Sequence, residues 1–196
     1  EIHKELQSQG IKRRIVHFDI GGGLPISYDS SKQPPSMKDY ARMLKEACPE
    51  LFNGSFRLIT EFGRYVFTNA GFAISRVEYI KHERGINTAM IHAGANMFIR
   101  EAYHPEQWKH DISVATSDGK TKQGASENPW VIAGPLCFAG DMIAKNITLP
   151  PIEEGDYIIV HDSGAYTLSM WSEYNSREKP RVFGVDENEK VILLSK

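Results

Sequence analysis

Only two cysteines, Cys48 and Cys137, occur in 196 residues, so a disulfide-stapled scaffold is excluded and both thiols are expected to be reduced, as in the cytoplasm. No apolar run approaches the ~20 residues that a membrane span requires. A formal net charge of -2, from 23 basic and 25 acidic side chains, leaves no basic excess for nucleic acid or an anionic bilayer. The sequence therefore predicts no nucleic-acid partner and no membrane partner. His17, His92, His104, His110 and His161 lack metal-ligand spacing, which predicts no metal site and makes them structural or solvent-facing. There is no internal repeat and no low-complexity tract. What is present, 41% hydrophobic and 24% charged residues, is a chain long enough to bury an ordinary core.

Hydrophobic periodicity divides the chain into two unequal parts. Residues 1 to 70 alternate helix and strand. Ile2 and Leu6 lie four apart ahead of Gly10, a C-terminal stop. The run Ile15-Val16-His17-Phe18 enters a glycine loop, Met37 to Ala47 aligns Tyr40, Met43, Leu44 and Ala47 on one helical face, and Phe56 to Thr60 is a second strand. This is βα-repeat grammar. From residue 71 the pattern becomes short strands at Phe72–Ile80, Thr88–Ala93, Trp130–Ala133, Tyr157–Asp162, Arg181–Val185 and Lys190–Leu194. Residues 110 to 129 are polar and carry Ser117-Asp118-Gly119 and Gly124, which predicts a hairpin or a long mobile connection. The fold class is α/β followed by mainly β.

Two motifs carry chemistry. Gly21, Gly22 and Gly23 after a strand suit a tight loop whose bare amides close on a phosphate, and Arg64 adds a bidentate cation for the same anion. Glu61 offers a carboxylate to a protonated ring nitrogen, with Gly63 between the two charges. Taken singly, each has a plainer explanation: a strand-to-helix turn for the glycines, and a surface ion pair for Glu61 and Arg64. Cys137 is either a small buried hydrophobe or, after the Gly134-Pro135 turn, a specially placed thiol. Tyr166 either packs in a sheet or, beside Gly164, approaches a ligand. Trp108, Trp130 and Trp171 are core or interface aromatics.

Four blocks in order resemble the C-terminal part of the alanine-racemase-like, fold type III pyridoxal-phosphate decarboxylases that act on ornithine, diaminopimelate and arginine. They are Asp19-Ile20-Gly21-Gly22-Gly23-Leu24-Pro25, the stretch from Glu61 to Gly71, Gly134-Pro135-Leu136-Cys137-Phe138-Ala139-Gly140-Asp141, and Gly164-Ala165-Tyr166 with Tyr174-Asn175-Ser176-Arg177. The last set resembles the diaminopimelate branch. The resemblance implies the last βα units of a TIM-like barrel over residues 1–70. A C-terminal β-barrel or sheet domain follows over residues 71–196, with a barrel-capping extension possible at its end.

It also implies pyridoxal 5′-phosphate as cofactor, a small amino acid as substrate, and a homodimer with shared active sites. The phosphate falls to Gly21, Gly22, Gly23 and Arg64, the ring nitrogen to Glu61, a cofactor contact to Gly63, and a phosphate or ring contact to Tyr166. Cys137, reaching the neighbouring subunit's site, becomes the acid that reprotonates the α-carbon.

The departures are informative. Phe62 replaces the family's proline. Arg100 and Tyr103 resemble its substrate-carboxylate segment, but three residues apart rather than four. Phe138 stands where an acidic residue holds a distal ammonium, so either Asp141 takes that role or the substrate is a bulky or acylated amino acid. No lysine stands in the family's cofactor-lysine context, so the chain reads as a fragment, inactive alone and prone to self-association. A non-catalytic regulatory homologue and a racemase are the alternatives.

Overall fold

The computed structural model describes residues 1–12 and 15–195. The chain forms two compact units, Glu1–Thr68 and Asn69–Lys196. In the first, α1 (Ile2–Ser8) ends on Gly10 at φ 68°, where Gly10 N donates to Gln7 O and Ile11 N to Leu6 O. That pair of bonds satisfies carbonyls the helix end would otherwise strand. β1 (His17–Asp19) and β2 (Arg57–Ile59) pair in parallel, His17 opposite Arg57 and Asp19 opposite Ile59. A parallel pair needs a long crossover, and α2 (Met37–Ala47) lies in it.

Ser36 starts α2 with a reciprocal cap. Its hydroxyl accepts from Asp39 N at 3.1 Å, and the Asp39 carboxylate accepts from Ser36 N at 3.3 Å. Tyr40 and Leu44 on the apolar face are half-buried, whereas Met43 is exposed. α3 (Gly63–Phe67) follows β2 immediately.

The second unit is built on a six-stranded mixed sheet. Its strands are β3 (Ala73–Glu83), β4 (Ile86–Ile91), β5 (Ile112–Ala115), β6 (Trp130–Ala133), β7 (Met142–Ile147) and β8 (Tyr157–Val160), in the order β5-β8-β3-β4-β6-β7. All neighbours are antiparallel except β4 and β6. A short helix, α4 (Ile99–Tyr103), lies between β4 and β5. β3 and β4 turn at Arg84 and Gly85, both at positive φ, the geometry that matches strand twist in a tight hairpin. Alternation then buries Ser75 and Val77 of β3, and Asn87, Ala89 and Ile91 of β4. Val77, Ala89 and Ile91 join Phe98, Val114, Trp130, Ile132, Ile158 and Val160 in one core. β9 (Val182–Val185) and β10 (Val191–Ser195) form a separate hairpin.

Of the two forms expected for residues 110 to 129, a hairpin or a long mobile connection, the structure holds the hairpin: Ala115 bridges Thr121 antiparallel around Ser117-Asp118-Gly119, and β5, at its start, pairs antiparallel with β8. Lys122 Nζ then meets the buried Asp156 carboxylate at 2.8 Å, and Ser126 N donates to Leu149 O. A four-residue strand inside polar sequence has too few positions to declare a period. The strand β7 was also missed, since Lys145 and Asn146 interrupt its apolar run.

The core sets the stability of this unit. Ile132 is fully buried among β4, β6 and β7, so Ile132→Ala should cost about 2–5 kcal/mol in urea unfolding.

Candidate active site

In the first unit the two candidate motifs converge. Ile20 N donates to Ile59 O and Glu61 N to Gly21 O, extending the β1–β2 ladder into both loops. The glycine loop and the Glu61–Arg64 turn therefore emerge at the same carboxyl end of a parallel pair, the end where α/β sheets gather ligands. Gly21 and Gly23 hold φ of 71° and 94°, a region costly to other residues. Gly22 approaches Glu61 so closely that an added Cβ would lie 2.8 Å from its carbonyl oxygen.

Gly21 N is engaged by the Asp19 carboxylate at 2.8 Å. The amides of Gly22 and Gly23 have no acceptor among the described residues. At Gly63 a Cβ would meet nothing within 4 Å. Two open amides, an exposed Glu61, a half-buried Arg64 and an unobstructed backbone suit a phosphate attached to a ring with a basic nitrogen. Phe62 packs edge-on against Tyr40 of α2, 5.3 Å between centroids, and so ties the turn to the crossover helix.

In the second unit Cys137 is an exposed free thiol on the loop between β6 and β7. Its main chain is held at both ends of the residue. Cys137 N donates to Asn175 Oδ1 at 2.8 Å, and Tyr174 Oη donates to Cys137 O at 2.9 Å. The Tyr174-Asn175 pair thus acquires a role that its sequence pattern did not state.

Asp141 closes the same loop from beneath. It is 4% exposed and accepts from Ala95 N and Leu136 N, each at 2.6 Å, while Gly134 N donates to its carbonyl. A Cβ on Gly94 or Gly134 would fall into the carboxylate. The acid considered from sequence as a substrate partner is therefore engaged by main chain and turned away from solvent.

Arg100 on α4 lies between two rings, 4.2 Å from the Trp108 centroid and 3.9 Å from that of Tyr166. Stacking leaves the edges of the guanidinium for an anion, and they donate to nothing among the described residues. Tyr166 itself sits at φ 58°. Tyr103 stacks on Phe138, with centroids 5.6 Å apart and planes 20° from parallel. Behind α4, the buried Glu101 carboxylate meets His110 Nε2 at 2.8 Å, and His110 Nδ1 lies 2.6 Å from His161 O, which gives both histidines structural roles. Among the described residues no group of three His, Cys, Asp or Glu side chains can hold a metal, and no helix is long and apolar enough to cross a membrane.

Residues 29–164 match the family described as pyridoxal-dependent decarboxylase, C-terminal sheet domain. The chain is 33% identical over 195 residues to the diaminopimelate decarboxylase of Aquifex aeolicus, covering 100% of this chain and 43% of that protein. It is 35% identical over 163 residues to that of Pseudomonas fluorescens, covering 83% of this chain and 36% of the relative. Among solved structures, the diaminopimelate decarboxylase of Helicobacter pylori complexed with L-lysine superimposes with a TM-score of 0.82 at 32% identity, over 100% of this chain and 45% of that one. The chain therefore spans less than half the length of these relatives, and it belongs to the pyridoxal-dependent decarboxylase C-terminal sheet domain family.

The Asp141 clasp yields a direct test. Asp141→Ala strands two amides in a buried setting, each worth about 1–3 kcal/mol. Urea unfolding should show a loss of at least about 2 kcal/mol, and Asp141→Asn, which retains one acceptor, should lose less.

Proposed function

We propose that this member of the pyridoxal-dependent decarboxylase family serves, within a longer protein, as part of an amino-acid decarboxylase of the diaminopimelate or ornithine type, or of a relative acting on a modified diamino acid. The convergence of the glycine loop with the Glu61–Arg64 turn carries this reading, because it joins phosphate donors to a carboxylate at one end of a parallel strand pair. The L-lysine bound by the Helicobacter pylori relative supports a small amino acid as ligand.

When bound, pyridoxal phosphate supplies the sink for the electron pair left as CO₂ departs. The amides of Gly22 and Gly23 and the Arg64 guanidinium bind the phosphate, with Gly21 and Gly63 shaping the backbone around it. Glu61 keeps a proton on the ring nitrogen by offering it an anionic acceptor. Tyr166 adds a phosphate or ring contact. Arg100, its guanidinium carbon over the Trp108 and Tyr166 rings, presents its donors to a substrate carboxylate, and Tyr103 lies one helical turn away. The Cys137 thiol delivers the proton to the substrate α-carbon.

In this reading the enzyme is a homodimer in which Cys137 completes the neighbouring site. The cofactor lysine belongs to the part of the relatives that this chain does not span, and the protein acts in the cytoplasm.

Two substitutions in the full-length protein test these roles. Arg64→Ala should weaken pyridoxal phosphate binding by about 1.5–3 kcal/mol, read by cofactor absorbance titration. Equal affinity in both proteins would remove Arg64 from the site. Cys137→Ala should lower turnover about 10²–10⁴-fold while cofactor binding is retained. Undiminished CO₂ release would leave the thiol without a catalytic part, and cofactor binding by wild type with no CO₂ release from any amino acid would favour a non-catalytic homologue.

A further inference from the structure

The segment 172–177, which grips the Cys137 loop, is anchored at both ends and bent between them. Ser172 N donates to Asn96 O at 2.9 Å and fixes its start. Asn175 and Ser176 then stand at φ 58° and 54°, two successive non-glycine residues in the left-handed region. Such a bend is costly, and it persists only where surrounding contacts hold it. Before the bend and within it, Tyr174 and Asn175 bond the main chain of Cys137. Beyond it the chain is held by the side chain of Arg177.

The partner of Arg177 is His92, which follows β4. Arg177 Nη2 lies 2.8 Å from His92 Nδ1. A guanidinium has donors only, so Nδ1 is the acceptor and the ring carries its hydrogen on Nε2. That nitrogen lies 3.6 Å from Glu78 Oε1, and Arg76 Nη1 lies 3.8 Å from the same oxygen. The main chain of His92 is tied to β3 as well, its N donating to Ser75 Oγ at 3.0 Å. His92 is thus a post fixed to the sheet through its backbone, and the half-buried Arg177 closes on it.

We propose that Arg177 and His92 are positioning residues for the Cys137 thiol: their hydrogen bond holds the Asn175–Ser176 bend, and the bend holds the amide and carbonyl of Cys137. This rests on the reading of Cys137 as the proton donor. Without the Arg177 contact the bend relaxes toward ordinary backbone, Asn175 Oδ1 leaves Cys137 N, and the thiol loses its fixed direction. The cost falls on proton transfer, where the geometry of the acid comes first. It does not fall on the phosphate, whose proposed donors lie in the first unit.

The full-length, pyridoxal-phosphate-loaded protein is read in two ways, by amide hydrogen exchange resolved at Cys137 and by CO₂ release from meso-diaminopimelate and L-ornithine. Arg177→Met and His92→Leu should each speed exchange of the Cys137 amide about tenfold, the scale of one lost hydrogen bond. Each should lower kcat by about the same factor with KM and cofactor affinity unchanged. His92→Asn, whose Oδ1 takes the place of Nδ1, should recover most of both losses. The double variant Arg177→Met/His92→Leu should be no worse than either single one. Exchange at the fully buried Ile132 reports that the core is intact, and where one variant unsettles the core the other decides.

Unchanged exchange at Cys137 overturns the proposal, as does a loss that His92→Asn fails to repair or a released Cys137 amide with kcat undiminished. Failure of the decarboxylase reading is separate: wild type then releases no CO₂ from either probe, while exchange at Cys137 still decides whether Arg177 and His92 hold the loop.

Discussion

The burial of Asp141 is the constraint on which the second unit's site depends. An ionised carboxylate removed from water is tolerated only when its oxygens are fully engaged by donors, and here the donors are the main-chain amides of Ala95 and Leu136. Meeting that demand draws the segment after β4 against the loop between β6 and β7. It also fixes the two glycines, since any side chain at Gly94 or Gly134 would displace the carboxylate. The shape of the Cys137 loop follows from the need to satisfy one buried charge.

From that anchor, the remaining contacts set orientation. With Leu136 held below, Asn175 and Tyr174 hold the amide and carbonyl of Cys137, so the thiol is exposed on a backbone that has little freedom left. Arg100 is positioned by a different means, with its guanidinium carbon over the Trp108 and Tyr166 rings. Contact with ring faces restrains a guanidinium without consuming its donors. Both groups thus have their conformational entropy removed during folding rather than on binding, which is the condition for an efficient site.

In the first unit, strand pairing does the equivalent work. Parallel β1 and β2 bring two loops some forty residues apart to one edge, and the carbonyl of Gly21 receives Glu61 N to lock them together. Gly22 must lack a side chain because the Glu61 carbonyl occupies the space where it would stand. Phe62 supports the same turn from the helix side through Tyr40. An aromatic there replaces the rigidity of a proline with tertiary packing.

The sequence by itself determined the α/β-then-β order, the span of the α2 helix, the span of β6, and the glycine and acid–arginine blocks that mark a family. Each is written in local periodicity or in a few adjacent residues. It also supplied Cys137, Arg100 and Tyr166 as single residues of interest, without their surroundings. Only the tertiary structure decided that Asp141 is spent on amides, one of them 46 positions away, that Asn175 clamps Cys137 across 38 positions, and that the buried Asn96 amide has a donor left over. It also turned residues 112–115 into a strand, because β8 supplies a partner edge for a four-residue segment too short to show its own period. Local pattern records what a residue prefers next to its neighbours in sequence. Whether a polar atom is satisfied depends on which distant backbone the fold brings within 3 Å of it, and no local pattern carries that information.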